Sequence, residues 1–297
     1  MFYLFLSVIG GTLIFLIFRS FSTFRVNTLQ AIVVNYLVCV VTGLIYHADA
    51  GIFKNTGTDQ NWLWMSLLLG LLFISSFYLA AYTTQRLGIS VVSVASKMSL
   101  IFPVIFSLFI WKIRVEEMTV FTYTGILLAL PGVVLSSIKH SGNRSYTGWQ
   151  GLSLALLLFL VGGLIDTMIN YTNYRFINEA NERAFLIIVF GAAGFFGIVS
   201  LLIKGKQPSM KSIAGGVLLG IINYFSLFFV LKSLKIFHNN GAVFFPLFNI
   251  GIILLSTFLS ILIFREKLSK INWAGLILAI FALILISYKD IMLYFSG

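Results

Sequence analysis

Long apolar runs alternate with short polar connections along the whole chain. Ten of these runs are long enough to cross about 30 Å of hydrocarbon as an α-helix. The first run has no basic start and no small-residue cleavage motif, so we expect it to remain as a span. The pattern predicts an all-α membrane protein with ten transmembrane helices near residues 1–18, 28–47, 62–84, 89–111, 118–137, 150–172, 184–203, 212–232, 240–263 and 270–293.

The second half of the chain matches the first at a fixed offset. Gly70 aligns with Gly220 and Glu116 with Glu266, which is an offset of 150 positions. Since each half has five spans, the second copy must cross the membrane in the opposite sense. The sequence therefore predicts two inverted five-helix repeats around a central cavity, with a first repeat at 1–138, a connecting loop at 139–149 and a second repeat at 150–297.

Paired glycines match at a slightly different offset. Gly10 and Gly11 in the first span correspond to Gly162 and Gly163 in the sixth, an offset of 152 positions. In lipid, where no hydrophobic effect drives helices together, small residues let two backbones approach closely. We expect both pairs to lie at helix–helix contacts.

Composition and charge support the membrane interpretation. The chain is 59% hydrophobic and 10% charged, with a net charge of +11. The basic residues lie mainly at span ends, where they face lipid headgroups, so we expect a lipid bilayer and no nucleic acid as partner. Cys39 is the only cysteine, and the histidines are far apart, so the sequence predicts no metal site and no cofactor.

One motif occurs in both copies. PVIFSLFIWKIRVEEMTVFTYTGILLALPGVVL in the first and IILLSTFLSILIFREKLSKINWAGLILAIFALIL in the second each lead from an apolar helix into a turn with Glu. A glycine follows nine residues after that Glu (116 to 125, 266 to 275). With its two five-span units, the chain resembles the EamA-type branch of the drug/metabolite transporter superfamily. The resemblance implies a ten-span secondary transporter of the bacterial inner membrane and favours export.

Glu116 and Glu266, as a pair of carboxylates, raise the possibility of acid–base catalysis. Each lies in a turn beside basic residues, Arg114 for the first and Arg265 and Lys267 for the second. We interpret both as structural turn residues that cap the next helix and pair with those bases.

Lys97 is the first candidate binding residue because it lies deep in the fourth run, among Ser93, Ser96 and Ser99. An ionisable side chain in hydrocarbon costs at least about 2.5–3.5 kcal/mol. We interpret Lys97 as a cation of the central cavity that holds a carboxylate or phosphate. The alternatives are snorkelling towards the headgroups and a structural ion pair.

Asp166 is the second candidate, with Asn170 and Asn173 on the same helix face at i+4 and i+7. The corresponding positions of the first span are apolar, namely Ile14, Phe18 and Phe21. Such a difference is expected when one half is specialised for a ligand. Asp166 would bind an amine or carry a proton; the alternative is an interhelical hydrogen-bond ladder or a buried partner for Lys97.

Further polar and aromatic residues complete the candidate set. Asn223, Tyr224 and Asn249 lie within spans, where they would select a polar substrate or hold helices together. Tyr78 and Tyr82, one helical turn apart, would form an aromatic wall. The predicted substrate-binding residues are therefore Lys97, Asp166, Asn170, Asn173, Tyr78, Tyr82, Asn223, Tyr224 and Asn249.

Together these features favour a carrier over an enzyme. No G-x-x-x-x-G-K-[ST] loop is present, so ATP does not drive the protein directly. We expect alternating-access transport of a small polar or anionic metabolite such as an amino acid, coupled to protons or to exchange, by a monomer or homodimer. A translocator of nucleotide sugars, sugar phosphates or lipid-linked sugars is the alternative, and an intramembrane enzyme a remote one.

Overall fold

The computed structural model of the chain describes residues 2–47, 61–102, 106, 119–137, 149–176, 182–204, 209–236, 241–289 and 292. Within these ranges the regular elements are α-helices. They are α1 (Phe2–Thr23), α2 (Thr28–His47), α3 (Asn61–Leu87), α4 (Ile89–Met98), α5 (Val120–Ser137), α6 (Trp149–Phe176), α7 (Glu182–Lys204), α8 (Met210–Ile236), α9 (Gly241–Phe264) and α10 (Lys270–Ile286).

Most of these helices have the length and composition of membrane spans. Seven of the described helices (α1, α2, α3, α6, α7, α8 and α9) are long and apolar enough to cross a membrane, whereas α4, α5 and α10 are shorter apolar helices. Their outward faces carry large apolar side chains such as Leu127, Trp149 and Ile203, which are more than 70% exposed. Such a surface suits lipid and not water. The prediction of an all-α protein with membrane helices is confirmed for the described residues.

Helix α4 covers only the first part of the predicted span of 89–111; after a turn, the backbone is again helical at Ile101 and Phe102, and most of the remainder lies outside the described residues. Helix α4 ends at Met98, and the backbone turns at Ser99 and Leu100, where the Phe102 amide donates to the Ser99 carbonyl at 3.0 Å. Residue 103 is a proline, which has no amide hydrogen to continue the helical ladder onto Ser99. The Ser99 hydroxyl also competes with the ladder by donating to the Ser96 carbonyl at 2.7 Å.

The last predicted span, 270–293, is also interrupted. Helix α10 ends at Ile286, and the Ser287 amide donates back to the Leu283 and Leu285 carbonyls. Ser269 starts α10 with a capping box, in which its side chain and that of Asn272 each accept from the other residue's backbone amide. The apolar run of the sequence therefore continues beyond the helix that it predicts.

Helices α5 and α10 pack tightly and antiparallel through small residues. A Cβ on Gly125 would lie 2.8 Å from the Ile286 amide nitrogen, and one on Gly275 would overlap the Ser136 backbone. Between them, Gly132 faces Ala279. Since both backbones meet without side chains between them, this contact has the close approach expected of small residues in lipid.

The other helices form one packed body. Helix α8 contacts α1 and α2, α3 contacts α6 and α7, α2 contacts α7, α9 contacts α1 and α4, and α4 also contacts α5 and α6. Both predicted glycine pairs lie at such contacts. Gly11 faces Ile252 of α9, and Gly163 faces Phe102, which follows α4. The expectation that these pairs allow close approach is confirmed.

Candidate functional site

Helix α4 is held at its first turn by a distant carboxylate. Gly88, at a φ of 99°, turns the chain from α3 into α4. Glu266 then accepts hydrogen bonds from the Ile89 amide at 2.7 Å, the Ser90 amide at 3.4 Å and the Ser90 hydroxyl at 3.1 Å. The first amides of a helix have no partner within it and carry a partial positive charge, so a carboxylate stabilises them.

This geometry corrects the prediction for Glu266. The residue caps α4 and not the next helix, α10, whose cap is Ser269. Among the described residues, Glu266 also forms no ion pair within 4.0 Å with Arg265 or Lys267. Its carboxylate instead accepts hydrogen bonds from backbone amides of α4. Glu116, the matching residue, lies outside the described residues.

Lys97 lies in the last turn of α4, facing α9. The Asn249 side-chain amide donates to the Lys97 carbonyl at 3.2 Å, and the ammonium nitrogen lies 5.1 Å from the centre of the Phe248 ring. A cation at this distance from an aromatic face is attracted to it. The side chain is only partly buried, and its ammonium has no hydrogen bond or ion pair to any described residue.

Asp166 approaches α4 from α6. Its Oδ2 atom lies 2.6 Å from the Ser99 hydroxyl, at the turn that ends α4. Lys97 and Asp166 are close enough to interact electrostatically, yet no ion pair within 4.0 Å joins them in the described chain. The structure thus brings together Lys97 from α4, Ser99 from the turn that ends α4, Asp166 from α6 and Asn249 from α9.

The local sequence of α6 explains this close approach. Gly162 lies one turn before Asp166, and a Cβ placed there would come within 3.2 Å of the Ser99 hydroxyl. Gly163 is packed directly against the Phe102 ring. Because neither position carries a side chain, α6 can approach the end of α4 closely enough for Asp166 to reach Ser99.

Asn223 and Tyr224 take part in a different group of contacts. The Asn223 amide donates to Asn35 Oδ1 at 3.2 Å, and it lies 3.6 Å from Cys39 Sγ, both on α2. Cys39 in turn donates to the Gly220 carbonyl of α8 at 3.4 Å. The Tyr224 ring faces Tyr46, with the ring centres 6.3 Å apart. These contacts join α2 to α8, as expected of the helix-packing alternative.

Tyr78 and Tyr82 line a separate cavity. Their rings stack with centres 6.4 Å apart, and the Arg86 guanidinium lies 3.8 Å from the Tyr82 ring centre. The cavity has a volume of about 490 Å³ and includes neither Lys97 nor Asp166. It lies between α2, α3 and α7 and is lined by Asn27, Thr28, Leu29, Gln30, Tyr78, Tyr82, Gln85 and Leu201.

Two further predicted residues lie on α6. Asn170 and Asn173 follow Asp166 on α6, and their side chains lie outside the described part of the structure. Phe248 was missed by sequence reasoning, since one phenylalanine among 30 carries no distinguishing signal.

In the described ranges, no group of three or more His, Cys, Asp or Glu residues is arranged to hold a metal ion.

Comparison with known proteins identifies a similar fold but no activity. No protein-family model matches the chain. An uncharacterized protein of Haemophilus influenzae is 28% identical over 226 residues, which are 75% of this chain and 75% of the relative. A solved crystal structure of a protein aligns with a TM-score of 0.57 at 13% identity, over 94% of this chain and 95% of that chain. At this identity the likeness concerns the fold alone.

Proposed function

We propose that the chain is a secondary active transporter of the EamA type, built from two inverted five-helix repeats that rock around a site at Lys97. The observation that carries the proposal is the position of this site. Lys97 belongs to the first repeat, and Asp166, Phe248 and Asn249 belong to the second. A site shared by two halves is what alternating access requires, because each half can move against the other while both contact the substrate.

Residue contacts support the repeat. Gly125 meets Ile286, and Gly275 meets Ser136. Under the offset of 150, position 125 corresponds to 275 and position 136 corresponds to 286. The contact between Gly125 and Ile286 therefore corresponds to the contact between Gly275 and Ser136. The pairs Gly11 with Ile252 and Gly163 with Phe102 correspond in the same way, since 102 plus 150 is 252 and 11 plus 152 is 163.

Helix contacts follow the same correspondence. Replacing each helix by the one five further along turns the α2–α8 contact into α7–α3, α1–α8 into α6–α3, and α1–α9 into α6–α4. In the contacts α2–α7, α4–α9 and α5–α10 the two helices are five apart, so the same replacement swaps the partners and leaves each contact unchanged. This pattern is expected of two similar units related by a two-fold axis. With five spans per unit, such an axis lies in the membrane plane.

The depth of the site also supports a carrier. Lys97 lies eight residues after the start of α4 and Asn249 eight residues after the start of α9, which is about 12 Å along each helix. The two helices run in opposite senses under the proposed topology, so both residues are near the middle of the bilayer. The backbone turn at Ser99 interrupts α4 beside the site, a feature of transporter helices that line a cavity.

The chemistry of the site favours a small substrate with an anionic group. The ammonium of Lys97 would bind a carboxylate, and Asp166 would bind an amine or carry a proton. An amino acid or related organic acid has these groups, and coupling to protons or exchange would move it across the bacterial cytoplasmic membrane. The family resemblance favours export. A nucleotide sugar would need more positive charge for its diphosphate than one lysine provides.

A ligand screen on the purified protein tests this function. A compound that binds the folded state raises the melting temperature. We expect stabilisation by one or more amino acids or organic acids, and none by nucleotide sugars or sugar phosphates. Stabilisation only by the latter would favour the alternative substrate class, and stabilisation by no member of either class would contradict the proposal.

A further inference from the structure

The Ser99 hydroxyl has two close oxygen neighbours and one hydrogen to share between them. Its oxygen lies 2.7 Å from the Ser96 carbonyl and 2.6 Å from Asp166 Oδ2. Both distances are those of O–H···O hydrogen bonds. A serine hydroxyl can donate once and accept twice, whereas a backbone carbonyl can only accept. If Ser99 donates to Ser96, the hydrogen in the contact with Asp166 must come from Asp166.

The surroundings of Asp166 also suit a neutral acid. An ionised carboxylate can accept about four hydrogen bonds, and Asp166 has one hydrogen-bond partner, Ser99, in the described chain. Its nearest charge is Lys97, which forms no ion pair with it within 4.0 Å. Asp166 is partly buried. A carboxylate with few close partners at this depth in a membrane protein is costly, and protonation removes that charge.

Among the described residues, the other helices packed most closely against α6 bring no further charge to this point. They are α3 and α5, besides α4. The charged residue of α3 is Arg86, which lies over the Tyr82 ring, and α5 contains no charged residue. Within the described part of the chain, the groups that act on the protonation of Asp166 are therefore Lys97, in the last turn of α4, and Ser99, at the turn that follows α4.

We propose that Asp166 is the proton-binding site of this protein, and that in the conformation described here its carboxyl group is protonated and donates to the Ser99 hydroxyl. The reaction is a proton transfer: on one side of the membrane a hydronium ion gives up one O–H bond as the Asp166 carboxyl group gains one, leaving water, and on the other side the carboxyl group returns the proton to a water molecule. No other bond changes. With Asp166 neutral, the Lys97 ammonium has no competing carboxylate beside it and is available to an anion.

This inference rests on the proposed function where it concerns transport. When Asp166 loses its proton, the carboxylate competes with a substrate anion for Lys97. Proton and anion therefore bind cooperatively and cross together. An inward proton gradient would then drive the anion inward, which is opposite to the export that the family resemblance favours.

Infrared spectroscopy of the purified protein without any substrate tests the proton site directly. A protonated carboxyl group has a C=O stretching band that is distinct from carboxylate bands and shifts in D₂O. We expect this band near pH 7 in the wild type, and the loss of one carboxyl group's intensity in Asp166→Asn. Glu266→Gln is the matched control, because it removes the carboxylate at the other end of α4, which accepts backbone amide hydrogen bonds, and the Asp166 band should persist in it.

Ser99→Ala is the second variant of this experiment, and it tests the protonation of Asp166 even if Asp166→Asn fails to fold. Removing the hydroxyl should shift the Asp166 band to higher frequency, as expected for a C=O group whose acid hydrogen bond is lost. Identical carboxyl bands in the wild type and Asp166→Asn would overturn the proposal. An Asp166 band that keeps its wild-type frequency in Ser99→Ala would overturn the hydrogen bond from Asp166 to Ser99. Because no substrate is present, either result leaves the transport function to its own test.

Discussion

The Ser99 hydroxyl lies 2.6 Å from Asp166 Oδ2, and this contact between residues 67 positions apart joins the end of α4 to α6. It forms at the turn where α4 ends, one residue after Met98. Gly162 of α6 leaves the space for it. The same turn that shortens α4 therefore places a carboxyl group beside Lys97, so the interruption of the helix and the composition of the site have one structural origin.

Asp166→Asn is expected to remove the pH dependence of anion binding. In the wild type, binding to Lys97 should be strongest at low pH, where Asp166 is protonated, and should weaken as rising pH converts Asp166 to a competing carboxylate. Asparagine is neutral at every pH, so the variant should keep the affinity that the wild type has at low pH. Affinity measured across pH, for a ligand found by thermal stabilisation, checks this. A variant with the wild-type pH profile would assign Asp166 a structural role.

Glu266 and Gly88 are expected to affect stability through the start of α4. Glu266→Ala removes the acceptor of the Ile89 and Ser90 amides and should lower the unfolding free energy by about 1 kcal/mol, as for other lost helix caps. Gly88→Ala should cost about 1–3 kcal/mol, because its backbone conformation (φ 99°, ψ 168°) is one that essentially only glycine adopts, and its Cβ would lie 2.7 Å from Glu266 Oε1. Thermal unfolding in detergent measures both effects.

Lys267→Ala is the control for the Glu266 variant. Lys267 is exposed and forms no ion pair with Glu266 among the described residues, so its loss should leave the melting temperature unchanged. Equal destabilisation by Lys267→Ala and Glu266→Ala would restore the predicted pairing in the turn and contradict the capping of α4.

The glycines between α5 and α10 are expected to be equally sensitive to substitution. Gly125→Ala and Gly275→Ala each place a Cβ against the partner backbone and should each cost about 1–3 kcal/mol by overpacking. Gly191→Ala is the matched control, since the nearest atom to its new Cβ is Val40 Cγ2 at 4.0 Å. Alanine favours a helix over glycine, so this control should be neutral or stabilising. Tolerance of either interface variant would contradict the close contact.

Asn223→Ala is expected to weaken the fold and not the substrate site. The substitution removes the hydrogen bond to Asn35 at 3.2 Å, and interhelical hydrogen bonds in membrane proteins contribute roughly 1 kcal/mol. The melting temperature should fall while the affinity for an anionic ligand stays at its wild-type value. Lost affinity with an unchanged melting temperature would return Asn223 to the substrate-binding residues.

Hydropathy alone predicts most of the fold, because each membrane helix must cover the same thickness of hydrocarbon. The ten described helices all fall within or beside the predicted runs. Hydropathy does not predict the end of α4, because the backbone turns at Ser99 and Leu100 inside an otherwise apolar stretch. Hydropathy measures how apolar a stretch is and carries no information about where its backbone turns.

The site was only partly predictable for a related reason. Lys97 and Asp166 were recognisable because ionisable residues are rare in apolar helices, and the structure places both near the end of α4. For Glu266 the sequence indicated a cap, but its partner Ile89 is 177 positions away, and spacing along one chain does not identify such a partner. Tyr78 and Tyr82 share a helix face as predicted, yet helical period does not say which neighbour that face meets.

The most direct test of the central claim is the affinity of Lys97→Ala and Lys97→Arg for an anionic ligand that stabilises the wild-type protein. We expect Lys97→Ala to lose binding and transport in proteoliposomes while remaining folded, Lys97→Arg to keep part of both, and Lys267→Ala to match the wild type. Wild-type affinity and transport in Lys97→Ala would contradict a substrate site at Lys97.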